Sequence, residues 1–356
     1  MSAKPKNNET TTAGEQTEEN KRLAQAIDKF YAQATELAVE YIAVSLDLLI
    51  LHKLPDVCLY LATTDDQHRP AFKVFRNKGM YLSQTELDSL AASGMKNVYI
   101  QRSDVPDFTQ YVETLIGDAH TTSSMVNEQK VTLLRQNAIG VMTDIFSTPS
   151  KENIDRGVKV VSGFVYTLMR DPKAYELLMS LSSHDPYTLQ HSVGVATTSI
   201  ILAKKFGLSD EKDLIEVGVG GLLHDIGKTK VPKEIINKSG PLDAAEWAIM
   251  KQHAMFGYEI LKNNPNVGTR AKLAVLQHHE DPNGGGYPMG LFGGQIDLFA
   301  KIVALADIFN AITTDRSYSK AKPPFEAFVL IKSKLSHRVD AKLFEALVLI
   351  YGGKGP

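Results

Sequence analysis

Only one cysteine stands among the 356 residues. Cys58 alone can close no internal disulfide and can build no thiolate metal site, so it reads as a small core residue. A basic excess is also missing. The formal net charge is −2, which argues against a nucleic-acid polymer as partner, and no polybasic block marks an anionic membrane surface. No apolar run approaches the ~20 residues that span a bilayer. The first twenty residues are rich in Lys, Asn, Thr and Glu and lack the apolar stretch of a signal peptide. A cytoplasmic protein without membrane contact is expected. No internal repeat of roughly 20–50 residues is visible.

What is present is ordinary soluble composition, 43% hydrophobic and 22% charged. The length exceeds what one compact core usually absorbs, so two domains with connectors are expected. Residues 1–19 have little that could pack and read as a disordered tail. Residues 20–117 read as a small α/β domain for regulation or dimerisation, 118–180 as a helical connector, and 181–356 as a helical domain.

Local signals support this division. Leu23, Ile27, Phe30, Ala34 and Leu37 recur at helical spacing. Val57, Leu59 and Leu61 alternate, as do Phe72 and Val74, and Asn97-Val98-Tyr99-Ile100 reads as a further strand. Ser83-Gln84-Thr85-Glu86 is a capping box that starts a helix, and Ser93-Gly94 ends it. Further on, Leu133, Leu134, Ala138, Val141 and Met142 share one helical face. Val158, Val161, Phe164, Val165 and Leu168 share another. No catalytic cluster appears before His191.

The chemistry gathers in the last third. His191 falls in a helix over 188–205, His224-Asp225 close a helix begun near Leu214, and His278-His279 close one begun near Thr269. Asp243, with Glu246 three residues on, caps a helix expected to carry His253. Asp307 lies in the apolar run from Ile302 to Phe309, where a carboxylate is costly unless paired or bound to metal. These candidates come from separate helices facing one interior, as in bundle metal sites. Imidazole and carboxylate without thiolate suit Fe, Mn, Zn or Ni, and Asp225 has two oxygens with which to bridge two ions. Two ions ~3.5–4 Å apart lower the pKa of a shared water and neutralise phosphodiester oxygens. Lys228 is placed to stabilise developing phosphoryl charge. The glycine loop 283–290 follows His279, and its Gly286 allows close backbone approach to a ligand. Tyr287 is placed to stack on a base or cap the pocket. Arg316 suits a phosphate fork or a guanine edge.

At these residues the chain resembles the HD-GYP family of cyclic di-GMP phosphodiesterases, a branch of the HD metal-dependent phosphohydrolases. The matching stretches are His191-Ser192, His224-Asp225-Ile226-Gly227-Lys228, Lys251-Gln252-His253, His278-His279-Glu280, Gly286-Tyr287-Pro288, Ala306-Asp307 and Asp315-Arg316. Over residues 181–356 the resemblance implies an HD-type helical bundle, so the fold class expected is mainly α with a small N-terminal α/β domain. It implies two divalent ions, Fe or alternatively Mn. His191, His224, Asp225 and Asp307 match the ligands of one. Asp225, His253, His278 and His279 match those of the other. Asp225 and Lys228 are the expected catalytic residues. Lys228 matches the phosphate-contacting lysine and Arg316 a substrate-binding position. Gly286, Tyr287 and Lys320, which adjoins Ser319 at the usually basic position, are expected to contact substrate. The implied reaction is hydrolysis of cyclic di-GMP to pGpG by metal-activated water, with some members going on to GMP. The implied partners are cyclic di-GMP, a second copy of the chain and a protein docking at the GYP loop. Two other readings stay open: a receptor for cyclic di-GMP or a partner protein, and an HD hydrolase of another phosphoester. The chain departs from the family pattern at Asn283, Gly294-Gln295, Asn310 and Ser319. Asn310 stands where the family has an acidic residue.

Overall fold

A computed structural model describes residues 40–66, 70–117, 125, 127–170, 188–236, 238, 240–314 and 321–352. The expectations placed on the tail and on the helix from Leu23 to Leu37 lie outside these residues. So do those on Arg316, Ser319 and Lys320 and on parts of the connector. The chain divides into two compact units, and among the described residues the first comprises 40–46 and 56–104 and the second 47–55 and 105–352.

The first unit is built on four antiparallel strands, β1 (Tyr41–Ser45), β2 (Leu59–Thr64), β3 (Pro70–Arg76) and β4 (Asn97–Gln101), in the order β1-β4-β2-β3. Val44, Leu59, Val98 and Ile100 point into its core and are buried. Rings gather elsewhere on the sheet: Tyr41 stacks on Phe72 at 4.3 Å and meets Tyr60 at 4.9 Å. The predicted strands are present, and β1 joins them. Its sequence, Tyr-Ile-Ala-Val-Ser, lacks clean alternation, and its identity comes from five-residue pairing with β4. Helix α1 (Gln84–Ala92) starts at the capping box, where Ser83 Oγ accepts from Glu86 N and Glu86 Oε2 from Ser83 N. Cys58 is half-buried between buried Val57 and Leu59 rather than a core residue.

The second unit is helical. In chain order its main helices are α2 (Val105–Gly117), α3 (Asn127–Ser147), α4 (Lys151–Arg170), α5 (Thr188–Phe206) and α6 (Glu211–Leu223). They continue as α7 (Lys233–Ile236), α8 (Ala244–Met250), α9 (His253–Leu261), α10 (Thr269–Gln277), α11 (Leu298–Thr313), α12 (Pro324–Lys334) and α13 (Ala341–Tyr351). The two predicted faces of α3 and α4 enter one core, with Val158 only partly buried and Leu133 buried outside that cluster. α6 lies at the centre, packed on α4, α5, α10 and α11. Phe164, Phe299 and Phe309 are fully buried there, and each such ring contributes about 1.5–3 kcal/mol by leaving water. No helix among the described residues is long and apolar enough to cross a membrane.

One helix differs from expectation. Asp243 caps α8 as predicted, accepting from Ala245 N and Glu246 N. That helix stops at Met250, and His253 instead opens α9 after a two-residue turn. The Met250 carbonyl, an orphan at the end of α8, accepts from His253 Nδ1 at 2.8 Å.

Candidate metal centre

The histidines sit where helices run out of backbone partners. The last carbonyls of a helix have no amide to accept from. His224 Nδ1 lies 2.8 Å from the Gly221 carbonyl at the end of α6. His278 Nδ1 lies 2.8 Å from the Val275 carbonyl at the end of α10. With His253 on Met250, three rings cap helix ends in the same way. His191 differs, since it lies within α5 and its Nδ1 is 2.7 Å from Asn310 Oδ1. A carbonyl oxygen only accepts, so each Nδ1 carries the proton and each Nε2 keeps a bare lone pair.

Those lone pairs converge. Among the described residues two groups have donor atoms within 4.8 Å of one another: His191, His224 and Asp307, and His253, His278 and His279. In the first, His191 Nε2 is 3.0 Å and His224 Nε2 4.0 Å from Asp307 Oδ1. In the second, His253 Nε2 is 3.3 Å from His278 Nε2. Asp225 stands between them. Its Oδ2 is 3.2 Å from His224 Nε2 and its Oδ1 3.5 Å from His253 Nε2. Gly227 permits this closeness, because a Cβ there would come within 1.9 Å of the His253 carbonyl.

Electrostatics keep His253, His278, His279, Asp225 and Asp307 in ligand form. Burial holds the imidazoles of His253 and His278 below the usual histidine range. It pushes His279 down to about 3. Burial opposes ionisation of Asp225, but Lys228, His224 and His253 outweigh it and hold its pKa well below the usual carboxylate range. Burial also opposes ionisation of Asp307, yet the imidazoles of His191, His224 and His279 around it hold its pKa below the usual carboxylate range. His224 goes the other way: burial disfavours its charge, yet Asp225 and Asp307 raise it.

This donor set fits divalent cations. Among the described residues His224 Nε2 and Asp225 Oδ1 are buried without a hydrogen-bond partner, a costly condition for polar atoms. A cation satisfies both, and it removes the lone-pair repulsion between His253 and His278.

Around the centre, Lys228 folds back through the 3₁₀ turn Ile226–Lys230 and sets its Nζ 2.6 Å from Asp225 Oδ2. The glycine loop is pinned from beneath. Glu280, buried, accepts from Met289 N and Leu291 N, both at 2.7 Å. Gly286 crosses the backbone of Glu280 and Asp281 so closely that a Cβ would lie 2.2 Å from Asp281 N. The protein's own chain therefore accounts for the glycine there. Tyr287 is laid against His279, ring centroids 4.7 Å apart. Arg316 and Lys320 lie outside the described residues. Sequence reasoning assigned no role to Glu280, and it took Asn310 only as a departure. The amide of Asn310 keeps an acceptor on His191, which is what a carboxylate there would also do.

Comparison with known proteins agrees with this architecture. A family model described as HD domain matches residues 177–343. A cyclic di-GMP phosphodiesterase of Pseudomonas aeruginosa is 32% identical over 294 residues, 78% of this chain and 70% of that protein. A 3'3'-cGAMP-specific phosphodiesterase of Vibrio cholerae is 37% identical over 167 residues, 47% of this chain and 36% of that protein. A cyclic di-GMP phosphodiesterase of Thermotoga maritima is 38% identical over 176 residues, 49% of this chain and 47% of that protein. The chain thus spans less than half the length of the latter two. The solved structure of an HDG"Y"P protein from Bdellovibrio bacteriovorus shares the fold, with a TM-score of 0.61 at 20% identity over 88% of this chain and 100% of that one. On this likeness, which runs well beyond the bundle itself, the chain belongs to the HD-GYP family of phosphodiesterases within the HD-domain hydrolases.

Proposed function

We propose that this protein hydrolyses cyclic di-GMP to pGpG, adding one water and breaking one P–O3′ bond, at a site that holds two iron or manganese ions. The observation that carries the reading is the position of Asp225, whose two oxygens face two separate three-donor groups. His191, His224 and Asp307 would hold one ion, His253, His278 and His279 the other, and Asp225 both. When bound, such ions supply Lewis acidity, lowering the pKa of water and neutralising phosphoryl oxygens.

The chain's own residues do the rest. Each Nδ1 hydrogen bond fixes an imidazole before substrate arrives, so no reorganisation is needed on binding. Asp225 and Asp307 stay ionised across the physiological range, which keeps both carboxylates available. Lys228 is tethered to Asp225 with its ammonium at the edge of the centre, where it can bind a phosphoryl oxygen as charge builds. Tyr287 covers His279 and limits water access from the loop side. Its phenol is pushed up by burial and remains protonated, a donor for a substrate oxygen. Arg316, by its place in the motif, would take the second phosphate or a guanine edge, and Lys320, one residue past the motif's basic position, would add a cation there.

The test uses protein purified without oxygen and loaded with Fe(II) or Mn(II). Chromatography should show cyclic di-GMP converted to pGpG, and any GMP formed later. The relative that acts on 3'3'-cGAMP makes that dinucleotide the parallel substrate. A fully loaded protein that converts neither one overturns the proposal.

A further inference from the structure

We propose that Trp247 is the stacking platform for one purine base of the substrate, an inference that rests on the cyclic-dinucleotide reading of the site. The imidazoles, carboxylates and ammonium of the centre deal with metal and phosphate, and none of these selects a nucleobase; a guanine edge taken by Arg316 would still leave the face of the base uncovered. A dinucleotide site also needs an aromatic surface, because stacking is how proteins hold bases in the absence of a duplex.

Trp247 is the only tryptophan in the chain. It lies on α8, a helix with no buried residue, and it is itself 46% exposed. A core role is therefore excluded, although indole is among the side chains that gain most from leaving water. The ring is not adrift on the surface. Its centroid is 6.2 Å from that of Tyr287, with the planes at 81°. Tyr287 in turn leans on His279 at 4.7 Å and meets His253 at 6.2 Å. A line of rings thus runs from the second donor group outward to Trp247. At 81° the two outer planes form a corner and do not cover each other's faces.

Phosphate and base in a nucleotide are separated by one ribose. A phosphodiester held at the donor groups therefore carries its base outward by about one ribose, and the aromatic surface that adjoins the second group is this corner. The platform is also fixed in place. Asp243 accepts from Ala245 N and Glu246 N at 2.9 Å, closing a capping box, and Glu246 is paired with Lys238. A short helix that buries nothing is held rigid at its first turn, and four residues after its cap it presents an indole.

The experiment compares wild type, Trp247→Ala and Trp247→Phe in the Mn(II)-loaded full chain. Trp247→Ala should raise the KM for cyclic di-GMP by roughly 10–100-fold, with kcat changed little. Trp247→Phe should recover most of the loss, and Mn(II) affinity should be the same in all three. In wild type, the single indole should lose fluorescence on titration with cyclic di-GMP and keep it on titration with inorganic phosphate. A Trp247→Ala KM within twofold of wild type, or a fall in kcat alone, overturns the platform and leaves the phosphodiesterase reading intact. A wild type that neither binds nor cleaves the dinucleotide takes down both.

Discussion

His253 Nε2 lies 3.3 Å from His278 Nε2, and neither nitrogen carries a proton, because each ring has already given its Nδ1–H to a carbonyl. Two bare lone pairs thus face each other in a buried space, and a cation between them turns repulsion into coordination. Elemental analysis of protein purified without oxygen should find about two divalent ions per chain, as expected for a two-metal hydrolase. Chelation should lower the thermal midpoint, and Mn(II) should restore it. A midpoint indifferent to both treatments would show that this pair is an ordinary neutral contact.

Asp225 should be the most consequential carboxylate. Its two oxygens face two groups, so Asp225→Ala should reduce binding of both ions, whereas Asp307→Ala should spare the group of His253, His278 and His279. Lys228→Ala should keep the metal content and lower kcat by about 10²–10³-fold if the ammonium meets transition-state charge. Metal analysis alongside turnover separates these effects. Full metal retention in Asp225→Ala would remove the bridge from the proposed centre.

Asn310 orients His191 through a neutral acceptor. Asn310→Ala leaves Nδ1–H without its partner and should weaken Mn(II) binding by about 10–100-fold, the usual effect of losing a supporting hydrogen bond to a metal-binding histidine. Asn310→Asp keeps the acceptor and adds charge, so it should bind at least as tightly as wild type. Calorimetric titration of Mn(II) into the chelator-treated protein decides it. Equal affinity in Asn310→Ala would show that α5 alone holds the ring.

Acid should destabilise the metal-free protein. His253, His278 and His279 have lowered pKa values in the folded state, the last down to about 3 from 6.5. Below 6.5 the unfolded chain binds protons that these folded rings refuse, so stability rises with pH through that window. His224, raised by Asp225 and Asp307, acts in the opposite direction and loses its contribution as pH climbs above 6.5. Three rings against one give a net loss on acidification. Thermal midpoints in chelator should therefore be lower at pH 5 than at pH 7.5. A flat or inverted profile would mean that His224 and its carboxylates dominate.

Local rules carried the reading of this chain a long way. Capping boxes at Ser83 and Asp243, the ends of α6 and α10 at His224 and His278, and the start of α11 after Asp297 are set by residues within one helical turn. The chemical identity of the donors is likewise a property of the sequence. The tautomers of His224, His253 and His278 also have a local origin, since a histidine three residues beyond a terminal carbonyl is within reach of it.

What tertiary structure alone decided is which of these local pieces face one another. Strand β1 exists by its pairing with β4, more than fifty residues away in the chain, and not by its own pattern. His191 meets Asn310 and Asp307, and Tyr287 lies on His279, through the packing of helices and the anchoring of the loop by Glu280. The break between α8 and α9 falls where His253 turns inward toward Asp225, which capping signals upstream could not foretell. Composition and periodicity specify which face of an element seeks burial. The partner face is chosen by the joint packing of all of them, and that is where the centre and its aromatic rim were assembled.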